Sequence, residues 1–270
     1  MRNIALLVEY DGTAYNGWQI QKNGRSIQAT IEKALSKILQ EKIKIIGAGR
    51  TDAGVHAAGQ VANFHARSNM EAVKIAYALN GILPQDIAIR KAADVSDDFH
   101  SRFDAKSRVY VYRITRRKAP LMRHYAAFSH IDLSIDLMNQ ASAFLIGEKN
   151  FKSFTKYADQ RKRFVCGVTK AEWRGKRGNR REEPEVGESG AVPLSPGSVL
   201  VFEIEADRFL HGMVRAIVGT LIDVGRMKIS VEGFKNILNC EDRSMARMSA
   251  PACGLCLEEV RYGLDIWRQK

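Results

Sequence analysis

Residues 26–38, Ser26-Ile27-Gln28-Ala29-Thr30-Ile31-Glu32-Lys33-Ala34-Leu35-Ser36-Lys37-Ile38, decide the fold. Ser26 suits a helix start, because its hydroxyl can accept from the free amides of a first turn. Behind it Ile27, Ile31, Leu35 and Ile38 recur at helical spacing and predict one apolar stripe. Upstream, Ile4, Leu6 and Val8 share one face of an alternating stretch over 3–9, the period of a half-buried strand. Downstream, Ile43-Lys44-Ile45-Ile46 predicts a short strand. Gln60 to Ala66 is the next strand. Residues 70–80 follow as a helix through Val73, Ala76, Tyr77 and Leu79, stopping before Pro84, and Ile87-Ala88-Ile89 closes the series. The order β-α-β-β-α-β is the split βαβ arrangement of ferredoxin-like folds.

The second half repeats the plan without obvious identity. Strands are expected at Val109 to Ile114, Val165 to Trp173, Val199 to Glu205 and Leu255 to Val260. Helices are expected at about 134–146 (Leu137, Ala141, Phe144, Leu145), 209–224 and 231–239. The expected class is α+β, with two ferredoxin-like halves, residues 1–104 and 105–270. They would pair edge to edge into one continuous, mostly antiparallel sheet, with helices on one face and the other left open. Residues 174–198 are polar, with Gly187, Gly190, Pro193, Pro196 and Gly197, and predict a flexible insertion between two strands.

The chain has 270 residues, enough for two modest domains, and its 45% hydrophobic and 27% charged residues are those of a packed globular protein. Its 42 Lys and Arg exceed its 30 Asp and Glu, a formal charge of +12 that favours polyanionic partners through phosphate neutralisation. The open sheet face would then serve as an RNA-binding cleft. Met1-Arg2-Asn3-Ile4 lacks a signal-peptide layout, and no apolar run approaches the ~20 residues that span a bilayer, so a cytoplasmic, reduced setting without membrane contact is expected. Cys253 and Cys256 form a C-x-x-C pair inside an apolar run with Leu255, Leu257 and Val260. A structural zinc wants four ligands, and Cys166 and Cys240 have no close partner, so buried free thiols and no metal are expected.

Gly47-Ala48-Gly49-Arg50-Thr51-Asp52-Ala53-Gly54-Val55-His56 carries the chemistry. Asp52 sits two residues after Arg50 in a loop whose glycines open backbone conformations closed to other residues. A neighbouring guanidinium keeps a carboxylate charged where desolvation would favour the neutral acid. Such a carboxylate can attack an electrophilic sugar carbon, as glycosidase nucleophiles do, without metal or cofactor. Its plainer reading is an Asp-stabilised turn. His56 is expected to close the loop by a hydrogen bond rather than to act as acid or base.

Gly49-Arg50-Thr51-Asp52-Ala53-Gly54-Val55-His56-Ala57 resembles the signature of the tRNA pseudouridine synthase A family. The likeness continues through Tyr10 to Gln19, Leu79-Asn80 with Leu83-Pro84, and Phe99-His100-Ser101-Arg102-Phe103 with Arg108-Val109-Tyr110-Val111-Tyr112. It also covers Phe209-Leu210-His211-Gly212-Met213-Val214-Arg215 with Gly219, and Ala250 to Leu255. Ser101 and Asn63 depart from the family's usual Ala and His.

The resemblance implies isomerisation of uridine to pseudouridine at positions 38, 39 and 40 of the tRNA anticodon stem-loop, by a homodimer. Neither metal nor nucleotide cofactor is implied. Asp52 takes the essential place, either attacking the ribose or removing a sugar proton. Tyr110 would stack on the target base, though Val109 to Tyr112 also reads as plain strand. Arg215 would pair with Asp52, Leu255 would pack on the other face of the base, and Arg50 would fill the space left by the flipped nucleotide. Arg102, Lys106, Arg108, Arg116 and Arg117 are candidate RNA contacts, as are the basic residues at 113, 118, 161–163 and 174–181.

Two rival readings fit less well. A non-catalytic RNA-binding module would need an RNP-like aromatic pattern, which is absent, and leaves the Arg50–Asp52 loop unexplained. A phosphate loop at Gly47-Ala48-Gly49 would need a following Lys-Ser or Lys-Thr and a helix, whereas a strand is expected.

Overall fold

The computed structural model describes residues 1–156, 163–175 and 199–267. Apart from Arg174 and Gly175, the expected insertion at 174–198 lies outside the described residues, as do Arg161 and Lys162. Ten strands and five α-helices occur among the described residues. In chain order these are β1 (Arg2–Tyr10), α1 (Ile27–Leu39), β2 (Ile46–Gly47), β3 (His56–Ala66), α2 (Ala72–Ile82), β4 (Ile87–Val95), β5 (Ala105–Thr115) and β6 (Ala127–Phe128). They continue with α3 (Ile135–Ala143), β7 (Gly147–Asn150), β8 (Val165–Arg174), β9 (Val199–Ala206), α4 (Met213–Gly225), α5 (Val231–Asn239) and β10 (Leu255–Tyr262).

The strands form a large, mostly antiparallel sheet in the hydrogen-bonded order β4-β1-β3-β10-β5-β9-β8-β7, with β2 on β3 and β6 on β5. The first β-α-β-β-α-β series is the one the sequence predicts: β1 runs antiparallel to both β3 and β4, with Leu6 opposite Ala62 and Ala92. Because β2 pairs with β3 only at Asn63 and Ala62, the other end of β3 is free to take β10 in parallel, Cys256 opposite His56 and Leu257 opposite Ala57. The chain divides into two compact units. One holds Met1–Tyr110, Glu205–His211 and Leu255–Lys270; the other holds Val111–Ile204 and Gly212–Gly254.

Ser26 caps α1 as expected, its Oγ accepting from the Ala29 amide at 3.2 Å, and Ile27, Ile31, Ala34 and Leu35 are buried. The strand expected at 43–46 is reduced to Ile46–Gly47. Side chains of α1 satisfy the preceding backbone instead: Ser36 Oγ accepts from the Ile43 amide, Glu32 Oε1 from the Ile45 amide, and Gln28 Nε2 donates to Ile45 O. In α2 the buried stripe is Ala72, Ile75 and Leu79, so Val73 and Tyr77 point outward rather than inward. The helix expected from 209 begins only at Met213, because Gly212 has φ +71° and breaks the helical run. Cys253 and Cys256 form no disulfide and are half-buried rather than buried; the pleat of β10 turns Leu255 and Leu257 inward and Cys256 away. Among the described residues no helix is long and apolar enough to cross a membrane.

Candidate active site

The 47–56 loop is fixed at both ends and along its length by the first unit. At its entry the Ala48 amide donates to Val61 O at 2.7 Å, and Gln60 Nε2 donates to Gly49 O at 2.9 Å. Its middle lies on the 10–18 segment. Thr51 Oγ1 is 2.8 Å from the Tyr10 hydroxyl, Thr51 O accepts from the Trp18 amide, and the Gly54 amide donates to Tyr15 O. At its exit the Gly12 amide donates to His56 Nδ1 at 3.2 Å, the loop-closing role expected of His56. A strand, β3, follows the loop rather than a phosphate-binding helix.

Close approach of the two segments depends on Gly17, which has φ +89° and whose missing Cβ would stand 2.4 Å from Thr51 O. Gly17→Ala is therefore expected to lower stability by about 1–3 kcal/mol through overpacking, with added left-handed strain. Urea unfolding measures it; unchanged stability would mean that the loop is not held against this segment.

The Asp52 side chain is 21% exposed, and its Oδ1 lies 3.1 Å from Nε2 of His211. His211 stands at the end of the Glu205–His211 segment of the same unit, held out of α4 by the turn at Gly212. Two residues earlier Phe209 meets Tyr110 edge to face, with ring centroids 5.1 Å apart and planes at 88°. Tyr110, on β5, is 8% exposed. Burial pushes its phenol well above the usual tyrosine range, and the Asp52 charge pushes it further. Tyr110 therefore keeps its phenol proton at neutral pH. Leu255 is buried at the start of β10, one residue before that strand pairs with His56 at the loop exit.

The other expected site residues are distributed as follows. Arg50 is exposed on the loop. Arg215 lies on α4 in the second unit, its Nε donating to Ala250 O at 2.8 Å while the Ala250 amide donates to Arg215 O at 2.9 Å. Arg102 and Lys106 are exposed, Arg117 is half-buried, and Arg116 Nη2 donates to Asp132 Oδ1.

Arg108 differs from the expectation of an RNA contact. It is 9% exposed, and its guanidinium donates to four carbonyls: Ala105 O and Asp207 O from Nη1, Ala48 O and Arg102 O from Nη2. A planar fork of donors suits this arrangement, and it leaves the side chain inside the first unit rather than on its surface. One buried cation thus ties together the start of the Asp52 loop, the 99–104 turn, β5 and the segment that carries His211.

A family model described as tRNA pseudouridine synthase matches residues 6–104 and 141–263. The chain belongs to the tRNA pseudouridine synthase family. These synthases are isomerases, and curated relatives match the chain along nearly its whole length. A protein named tRNA pseudouridine synthase A from Bacteroides thetaiotaomicron is 41% identical over 270 residues, covering 100% of this chain and 94% of the relative. Those of the same name from Bacteroides fragilis and Porphyromonas gingivalis are 43% and 40% identical, with 97% and 99% of this chain covered and 97% and 100% of theirs.

Within this family frame, two roles were not foreseen from the sequence: His211 as the neighbour of Asp52, and Arg108 as an internal clamp. A signal for His211 existed: Gly212 directly after it is a residue suited to a helix-breaking turn, which would have left Phe209-Leu210-His211 outside the helix.

Proposed function

We propose that this chain converts uridine to pseudouridine at positions 38, 39 and 40 of the tRNA anticodon stem-loop, as a cytoplasmic homodimer using Asp52 and no cofactor. The observation that carries the reading is the Asp52 carboxylate, four-fifths shielded on a loop fixed from both sides, with His211 at 3.1 Å and the Tyr110 phenol within its field. Family membership and relatives named tRNA pseudouridine synthase A support tRNA as the substrate.

The reaction is an isomerisation, so atoms and charge must close. The target nucleotide leaves the stack, at a cost of a few kcal/mol. Its N1–C1′ bond breaks, and the bonding pair stays on the uracil. Asp52 answers the electron demand at the sugar in one of two ways: its oxygen bonds C1′, or it removes the C2′ proton to leave a glycal. The uracil turns, and C5 bonds C1′ as the ester bond breaks or the C2′ proton returns. C5 then loses its proton, N1 gains one, and Asp52 is regenerated. The neutral Tyr110 phenol donates to or relays between these positions; Tyr110, Leu255 and Arg50 of the first unit, and separately Arg215 of the second, are assigned to the substrate on family resemblance.

His211 is a positioning residue in this scheme, since its Nε2 orients the reactive carboxylate. His211→Ala is expected to lower kcat roughly 10- to 100-fold, the loss of a hydrogen bond to a charged group, with KM for the RNA unchanged. A rise in KM at unchanged kcat would make His211 an RNA contact instead. The reading as a whole is tested by incubating the purified chain with anticodon-arm RNA and assaying pseudouridine. Pseudouridine at the three positions supports it, and its absence under conditions where the RNA is bound contradicts it.

A further inference from the structure

The turn Phe99-His100-Ser101-Arg102-Phe103-Asp104 is tightly held, yet it exposes a phenyl ring. Phe103 is 75% exposed, although almost every polar group around it is used to fix the turn. The His100 amide donates to Asp104 Oδ2 at 2.7 Å, and the Arg102 and Phe103 amides both donate to His100 Nδ1 at 3.2 Å. The Phe103 and Asp104 amides also donate to His100 O. From outside the turn, Tyr262 donates its hydroxyl to Ser101 O at 2.7 Å and Arg108 donates to Arg102 O at 2.6 Å. Within the frame behind the turn, the Ser101 amide donates to Asn63 Oδ1 at 3.0 Å.

The ring is also backed. The His100 imidazole stacks under it, with centroids 4.2 Å apart and planes at 30°, and the Arg102 guanidinium lies over the ring, 5.7 Å from its centroid. A ring this exposed adds little to the core, and its backing has already removed much of its rotational freedom. A flat, pre-ordered aromatic face beside a cation matches an unpaired nucleobase and its phosphate. A flipped target leaves neighbouring bases without a stacking partner, which such a face can replace. The turn is tied to the frame of the reactive carboxylate at two points. Ser101 Oγ donates to Ile46 O at 2.5 Å, and Arg108 Nη2 serves Arg102 O and Ala48 O together.

We infer that Phe103, backed by His100 and flanked by Arg102, is a stacking platform for an unpaired nucleobase of the RNA substrate close to the reacting uridine. The inference rests on the proposed reading of the chain as a tRNA uridine isomerase, and deepens it. Phe103→Ala, Phe103→Leu and Phe103→Tyr are compared with the wild type on one anticodon-arm RNA carrying 2-aminopurine at single loop positions. Stacking predicts that Ala and Leu weaken RNA binding roughly 5- to 100-fold while Tyr retains it. It also predicts that the quenching of 2-aminopurine at one position on binding is lost with Ala and Leu alone. Thermal unfolding of the three variants should stay at the wild-type temperature, because the ring is exposed.

Binding and quenching equal to wild type in Phe103→Ala overturn the platform. So does a changed oligomeric state at unchanged RNA affinity, which would give the ring to a protein contact. Pseudouridine formation by the wild type on the same RNA reports separately on the proposed reaction, so its failure is distinguishable from failure of the platform.

Discussion

Asp52→Asn is expected to end pseudouridine formation while leaving the folded protein and its RNA affinity in place. Asn has the size of Asp, and its side-chain oxygen can still face His211 Nε2, 3.1 Å away in the wild type. Bonds of Ala48, the Gly49 carbonyl, Thr51, Gly54 and His56 hold the loop, and the substitution removes none of them. What disappears is a negatively charged oxygen able to bond C1′ or take a proton from C2′. Removing a group that forms or initiates the intermediate lowers turnover by at least roughly 10³-fold in enzymes where such groups have been deleted. Single-turnover assays at saturating RNA measure it, with binding followed in parallel. A rate within an order of magnitude of wild type would remove Asp52 from the chemistry, whichever of the two sugar routes operates.

Arg108→Met has the second large effect, and it falls on stability. Methionine fills much of the arginine's volume but donates nothing, so Ala48 O, Arg102 O, Ala105 O and Asp207 O all lose a donor. The four partners are neutral carbonyls, so no charge is left uncompensated; leaving a buried acceptor such as Ala48 O without its donor costs about 1–3 kcal/mol, and the part-buried carbonyls add to that. Arg108→Lys should recover only part of this, since an ammonium cannot reproduce the planar fork. Urea unfolding gives the stability. The salt dependence of RNA binding, taken where the variant is still folded, separates this role from a phosphate contact. A clamp leaves the slope unchanged, whereas loss of a phosphate contact lowers it by about one. An unchanged stability with a shallower slope would return Arg108 to the RNA surface.

The sequence revealed most where the deciding interactions are local. Ser26 and Ser230 cap α1 and α5 within three residues of their partners, and both helices start where their patterns predict. Alternation located β1, whose Ile4, Leu6, Val8 and Tyr10 face is buried. Errors arose where a distant partner decides. The strand expected at 43–46 shrank because α1 side chains, not a neighbouring strand, took its amides. The stripe of α2 was shifted by a residue or two, since Val73 and Tyr77 suit a buried face as well as Ile75 does.

The 47–56 loop divides in the same way. Gly54 with φ +76°, Asp52 and the closing His56 lie within a few residues and were legible together. The approach of His211 to Asp52 spans well over a hundred residues of chain and leaves no local periodicity. Arg108 misled for a related reason. A lone Arg in an alternating strand looks like a surface cation until the four carbonyls converging on it are known.

The role given to Asp52 is tested most directly by mapping pseudouridine at single-nucleotide resolution in anticodon-arm RNA bearing uridine at 38, 39 and 40, after incubation with the wild type or with Asp52→Asn at matched RNA occupancy. Pseudouridine is expected at those positions with the wild type and none with the variant, although both hold the RNA. Pseudouridine formed by the variant, or bound RNA left unmodified by the wild type, would contradict that role.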